Sequence, residues 1–121
     1  MNNHHKINYV EFPTANMEAT KTFFTEVFGW SFSDYGDEYT SFSNAGVDGG
    51  FFMAGTQPSR PPTAVLIVLY SEDLEATLKK VIDAGCTISK EIFSYPGGRR
   101  FHFIEPGENE LAVWSEDEDN G

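Results

Sequence analysis

The chain has 121 residues, with 8 Lys+Arg against 19 Asp+Glu and a formal net charge of −11. That length fits one domain of ordinary size, and 11 Phe, 5 Tyr and 2 Trp are far too many aromatics for a disordered acidic chain. Nucleic acid and anionic membranes are excluded as expected partners, because both call for clustered Lys and Arg and the basic pairs are only Lys79-Lys80 and Arg99-Arg100. The longest apolar run, Ala64 to Leu69, falls far short of the ~20 residues that cross a bilayer. No hydrophobic stretch follows Met1 to Lys6, so no secretory signal is expected. A lone cysteine, Cys86, rules out an intramolecular disulfide and fits a reducing, cytoplasmic setting.

In chain order, Ile7 to Phe12 reads as a strand that Pro13 breaks. Asn16 to Phe28 has helical periodicity: Met17, Phe24 and Phe28 form one stripe, broadened by Phe23 and Val27. Thr14 or Asn16 caps its start and Gly29 ends it. Three strands follow, over Trp30 to Ser33, Tyr39 to Ser43 and Gly50 to Met53. The connector Gly55 to Pro62 carries Pro58, Pro61 and Pro62.

Ala64 to Tyr70 then reads as a strand, and Glu72 to Ala84 as a second helix with Leu74, Leu78, Val81 and Ile82 inward. Ser71 is its expected N-cap and Gly85 its end. Strands are expected over Thr87 to Phe93, Arg100 to Ile104 and Glu110 to Ser115. The acidic residues 116–121 are expected to form a solvated tail. Met17-Glu18-Ala19-Thr20 is echoed 57 residues later by Leu74-Glu75-Ala76-Thr77. Each stretch opens a helix that follows a strand and precedes three more. The chain therefore reads as strand–helix–strand–strand–strand, twice, in one domain with repeat units of about 7–53 and 63–115.

Two runs, Phe23-Phe24-Thr25-Glu26-Val27-Phe28-Gly29-Trp30 and Phe101-His102-Phe103-Ile104-Glu105-Pro106 with its continuation to Leu111, resemble the vicinal oxygen chelate superfamily. That superfamily includes glyoxalase I, extradiol dioxygenases and bleomycin-resistance proteins. The resemblance covers Ile7 to Ser115 and implies an α+β fold: two βαβββ repeats forming a curved mixed sheet around a cavity, helices outside, often in a homodimer. Metal-dependent members place a His, Glu or Gln ligand on each of four strands. Those positions fall here on Tyr9, on Val65 or Leu66, near Gly50 to Phe52, and on Ala112. Hydrocarbon and a phenol are poor donors for a divalent cation, so no metal and no other cofactor is expected. The turn also departs from the family's Asp-Pro-Asp-Gly-Asn, reading Glu105-Pro106-Gly107-Glu108-Asn109, which leaves the register of Ala112 open by one residue.

Strand alternation then gives the expected cavity lining. With Tyr9 facing in, so do Ile7 and Glu11, while Val10 and Phe12 pack toward the helices. With Ala112 facing in, so do Glu110 and Trp114. His102, ten residues before Ala112, matches a substrate-contacting position of extradiol relatives, with Arg100 beside it. Tyr39 and Ser41 are possible additions. Glu11 and His102 are the candidate catalytic residues, Glu11 as an acid or base in an apolar wall, or else ion-paired with Arg100 or Lys6 or at an exposed rim. Tyr9, Arg100, Glu110 and Trp114 are the candidate ligand contacts. Gly49-Gly50 and Gly97-Gly98 read as turns or bulges, Cys86 as a packed small hydrophobe, and His4-His5 as part of the chain's start. The expected function is a bleomycin-resistance-type protein that binds a cationic or aromatic small molecule without a metal. A metal-independent lyase, isomerase or hydroxylase is the alternative, and a metal-dependent lyase or dioxygenase with non-standard ligands the second.

Overall fold

The computed structural model describes residues 4–5, 7–54 and 65–116. The chain divides into two compact units, Met1–Gln57 and Pro58–Gly121. The first contains β1 (Tyr9–Thr14), α1 (Met17–Phe28), β2 (Ser31–Asp34), β3 (Tyr39–Ser43) and β4 (Asp48–Met53); the second contains β5 (Ile67–Tyr70), α2 (Leu74–Asp83), β6 (Thr87–Tyr95), β7 (Gly98–Ile104) and β8 (Glu110–Glu116). This is the expected α+β pattern of two βαβββ units. Each unit is an open four-stranded mixed sheet, in the orders β1-β4-β3-β2 and β5-β8-β7-β6. The first strand of each unit runs parallel to the fourth, and the remaining pairs are antiparallel. A parallel pair needs a long crossover, which the helix and two intervening strands supply.

The repeated tetrapeptide has a structural reason. Its first residue is a core anchor: Met17 and Leu74 are both buried. Its Ala amide is capped, Ala19 N–H donating to Asn16 Oδ1 at 3.1 Å and Ala76 N–H to Asp73 Oδ1 at 3.1 Å. Its Thr hydroxyl meets a strand-end hydroxyl, Thr20 with Thr14 at 2.8 Å and Thr77 with Ser71 at 2.7 Å. The same hydrogen bonds thus fasten strand to helix in both units. Asp73, not Ser71, caps α2; Ser71 Oγ instead accepts the Asp73 amide at 3.0 Å. At the other end of α1, Gly29 adopts φ 77°, the left-handed conformation that lets its N–H reach back to the helix carbonyls.

Three other expectations change. Pro13 lies inside β1 rather than ending it, opposite Phe52; β1 is an edge strand, where a missing N–H is tolerated. Ile82 points outward, 51% exposed, while Leu74 and Val81 hold the inward stripe of α2. Glu116 belongs to β8, opposite Gly98, and so is strand rather than tail. Gly55 to Ala64, with the three connector prolines, lies outside the described residues, as do Lys6 and residues 117–121.

In the first unit, α1 packs on β2 and β4 over an aromatic core. Phe24 stacks on Trp30 at 4.4 Å between ring centroids, Trp30 meets Phe42 at 4.7 Å, and Phe24 reaches Phe51 at 5.5 Å. In the second, α2 packs on β7 and β8, burying Leu74 and Val81 with Phe101, Phe103, Leu111 and Val113. These residues occupy one face of each sheet. Alternation therefore sends Glu110, Ala112 and Trp114 to the opposite, helix-free face of the second sheet.

Candidate functional site

The helix-free face of the second sheet gathers four of the expected site residues. Across β7 and β8, Arg100 pairs with Trp114, His102 with Ala112 and Ile104 with Glu110. Ala112 thus lies opposite His102, on the face away from α2. The turn that sets this pairing is held by the buried Glu105 carboxylate, which accepts from Gly107 N–H at 2.6 Å and from both Asn109 N–H at 3.2 Å and Asn109 Nδ2 at 2.6 Å. Glu108 completes the turn at φ 78°, a left-handed conformation at the place where the family's pattern has glycine.

Trp114 lies across Gly98. A Cβ there would come within 3.0 Å of the indole Cε3 and 2.5 Å of the Ser115 carbonyl, so only glycine leaves room for the ring. The indole meets Tyr70 edge-on at 5.3 Å. Beside it lies a cleft of about 400 Å³ lined by Val68, Tyr95, Pro96, Gly97 and Trp114. Further along the face the Arg100 guanidinium stands over two rings, Phe93 at 5.4 Å and Tyr95 at 5.5 Å. Its Nε is buried and without a hydrogen-bond partner.

His102 is next along the strand, its side chain only 4% exposed. Its Nδ1 is 3.1 Å from Glu110 Oε2, which also accepts from Ser89 Oγ at 3.2 Å. The Phe93 ring lies 5.9 Å from the imidazole, and Nε2 is buried with no partner. Burial lowers the imidazole pKa, with Arg100 and Lys90 acting in the same direction and Glu110 opposing them. His102 is accordingly neutral at pH 7. A carboxylate only accepts, so the proton belongs on Nδ1 and Nε2 presents a lone pair.

The first unit brings together Tyr9, Glu11 and Tyr39. Tyr39 on β3 reaches across β4 to β1, passing over Gly50, where a Cβ would collide with its hydroxyl and lie 2.5 Å from its Cζ. Its hydroxyl donates to Glu11 Oε2 at 2.9 Å. With that proton committed, the 2.6 Å contact between the two phenols is donated by Tyr9. Partial burial and the bonds to Tyr9 and Glu11 raise the Tyr39 pKa. Glu11 is exposed, however, not enclosed by an apolar wall, and Ile7 precedes β1 and is exposed as well. Ser41 lies opposite Gly50 on the same face.

Phe93, Tyr95 and Tyr70 were not among the expected site residues. The i, i+2 spacing of Phe93 and Tyr95 was the available signal, but the expected strand ended at Phe93. Cys86 is half-buried; burial, with Glu105 nearby, pushes its thiol up to about 12, which suits a packed and unreactive side chain.

Comparison with known proteins adds the family. The model of the "Glyoxalase/Bleomycin resistance protein/Dioxygenase superfamily" matches residues 6–113. The chain belongs to this superfamily. No curated protein matches it. Among solved structures, a glyoxalase-related enzyme from Fulvimarina pelagi superposes with a TM-score of 0.76 at 14% identity, covering 93% of this chain and 88% of that one. A glyoxalase/bleomycin resistance protein/dioxygenase family enzyme from Burkholderia phytofirmans PsJN gives 0.75 at 16% identity, covering 91% and 98%. TnmS3, an antibiotic binding protein from Streptomyces sp. CB03234, gives 0.66 at 19% identity, covering 92% and 95%. These identities speak to the fold of the superfamily alone.

At the superfamily's metal-ligand positions the donor set here does not suit a divalent cation. Tyr9 offers a phenol, Gly50 and Phe52 on β4 and Ala112 on β8 offer no donor atom in their side chains, and Val65 and Leu66 precede β5. Among the described residues no group of three or more His, Cys, Asp or Glu side chains could hold a metal ion. No described helix is long and apolar enough to cross a membrane.

Proposed function

We propose that this superfamily member binds a small planar aromatic molecule on the helix-free face of its second unit. The observation that carries the reading is the cleft of about 400 Å³ beside Trp114, walled by Tyr95 and Val68, on the same face as Arg100, His102 and Glu110. The cleft is open and shallow, and its apolar walls beside the indole suit a flat ring laid against Trp114. The net charge of −11 favours approach of a cation or neutral molecule over an anion. An antibiotic binding protein of similar fold lends the binding reading support. The resemblance further supports a homodimer, which sedimentation would test, and the lone Cys86 supports a cytoplasmic setting.

The direct test is a calorimetric titration of the whole protein with bicyclic and tricyclic aromatics, neutral and cationic, repeated with Trp114→Ala. Binding that weakens about tenfold or more in the variant supports the reading. Equal binding by both proteins, or no binding of any compound, overturns it.

The paired His102 and Glu110 favour a second reading, in which the bound molecule is turned over without a metal and His102 serves as the base. His102→Gln would then abolish turnover while binding is still measured; unchanged turnover removes His102 from the mechanism.

A further inference from the structure

We infer that the helix-free face of the first unit carries a binding site of its own, for a primary ammonium ion on an arylalkyl body, with the Tyr9 oxygen and Glu11 Oε1 accepting its N–H groups and Tyr39 locking both in that role. The inference is independent of the aromatic-binding reading above, which concerns the second unit alone. Three observations carry it.

The first is the direction of the protons. Tyr39 gives its one hydroxyl proton to Glu11 Oε2 at 2.9 Å, so Tyr9 is the donor in the 2.6 Å contact between the two phenols. A phenol has one hydrogen to give and a carboxylate has none. Every proton of this chain is therefore spent on a bond that runs toward Glu11. What remains to meet a ligand, the lone pairs of the Tyr9 oxygen and Glu11 Oε1, only accepts. A lone tyrosine could answer a donor or an acceptor; this arrangement answers donors alone.

The second is that the arrangement is built into the sheet. Tyr39 crosses β4 only because Gly50 has no side chain, a Cβ there lying 2.5 Å from the phenol Cζ. The crossing hydroxyl holds Tyr9 and Glu11, two exposed side chains of β1, in one geometry before a ligand arrives, which lowers the entropy cost of binding.

The third is the setting. Glu11 supplies a negative charge, Asp48 stands opposite Tyr9 on the same face, and none of the four strands of this sheet contains a Lys or Arg. Tyr9 and Phe52 expose 46% and 39% of their surface, leaving ring faces that attract a cation and its apolar body. Glu11 lies opposite Gly50 and Phe52 is two residues further along β4, about 7 Å at ~3.3 Å per residue. An ammonium beside Glu11 with a phenyl ring two carbons away reaches Phe52. A carboxylate is repelled, an alcohol brings one proton and no charge, and a quaternary ammonium brings charge and no proton.

The test is an NMR titration of the whole protein at neutral pH with three probes that share one body. They are 2-phenylethylamine, its trimethylammonium analogue, which keeps the charge without an N–H, and 2-phenylethanol, which has a donor without a charge. The amine is expected to bind about tenfold or more tightly than either, shifting the Tyr9 and Tyr39 resonances. Glu11→Gln lowers the amine's affinity about tenfold. Tyr39→Phe releases the Tyr9 proton and narrows the gap between amine and trimethylammonium compound, and this variant stands in should Glu11→Gln not fold. Equal binding of those two probes overturns the inference, as does an amine affinity unchanged in both variants or no binding of the amine. Trp114→Ala leaves the amine's affinity unchanged; a loss there assigns the amine to the second unit and overturns the inference without touching the aromatic-binding reading.

Discussion

Replacing Gly50 by alanine probes the first unit at the point where three strands converge. The new Cβ would lie 2.5 Å from Tyr39 Cζ and 2.7 Å from the Thr40 carbonyl oxygen. The ring can swing aside, but the carbonyl is backbone and yields only if β3 and β4 separate. Overpacking of this kind costs about 1–3 kcal/mol. Displacing the ring also loses the Tyr39–Glu11 bond of 2.9 Å and the Tyr9–Tyr39 bond of 2.6 Å, about 1 kcal/mol each for partly exposed groups. Alanine recovers about 0.4–1 kcal/mol by restricting the unfolded chain. The net expectation is a loss of about 2–4 kcal/mol, or roughly 8–16 °C in Tm for a chain of this size. Urea unfolding followed by circular dichroism measures it. The same substitution in a Tyr39→Phe background should cost less, since the hydroxyl network is then already gone. Alkaline absorbance titration gives a second readout. Tyr39 ionises above the ordinary 10.0, so the unfolded chain loses that proton first and stability falls as pH climbs past about 10. Gly50→Ala should return Tyr39 to the ordinary range and flatten that slope. A variant within about 0.5 kcal/mol of wild type that keeps a late-titrating tyrosine would refute the reasoning.

Two further outcomes follow from the second unit. Glu108→Gly should stabilise the protein by about 0.5–1 kcal/mol, because a side chain in the left-handed region at φ 78° costs more than the extra freedom glycine brings to the unfolded chain; urea midpoints decide it, and a destabilised variant would show that Glu108 makes contacts worth more than its strain. His102 has its pKa lowered by burial, so the unfolded chain takes up the proton first, at about 6.5. Stability should therefore fall as pH drops from about 7.5 toward 5.5, and His102→Phe should remove most of that slope; an equally steep slope in the variant would assign it to other groups.

Much of the fold was legible in the sequence because the signals that specify it are local. A helix stripe, a cap and a terminal glycine lie within one or two turns of each other, and both helices appear where Met17 to Phe28 and Leu74 to Val81 predict them. The echo of Met17-Glu18-Ala19-Thr20 in Leu74-Glu75-Ala76-Thr77 marked two units because the same core anchor, cap and hydroxyl pair recur in each. Strand alternation put Glu110 and Trp114 on the face of Ala112, and the family resemblance added His102 to that face.

Tertiary structure decided what depends on pairing order. Pro13 breaks a central strand but not an edge one, and only the β1-β4-β3-β2 order makes β1 an edge. Tyr39 and Glu11 are 28 residues apart, and they meet because β4 presents a glycine between their strands. Phe93 and Tyr95 reach Arg100 because β6 continues past the expected end and pairs Phe93 with Arg100 and Tyr95 with Gly98. The sequence by itself determined which side chains share a face, since that follows from a period of two along each strand. Which of them touch, which are buried and which polar atoms are left without partners are properties of neighbouring strands, and only the folded sheet brings those neighbours together.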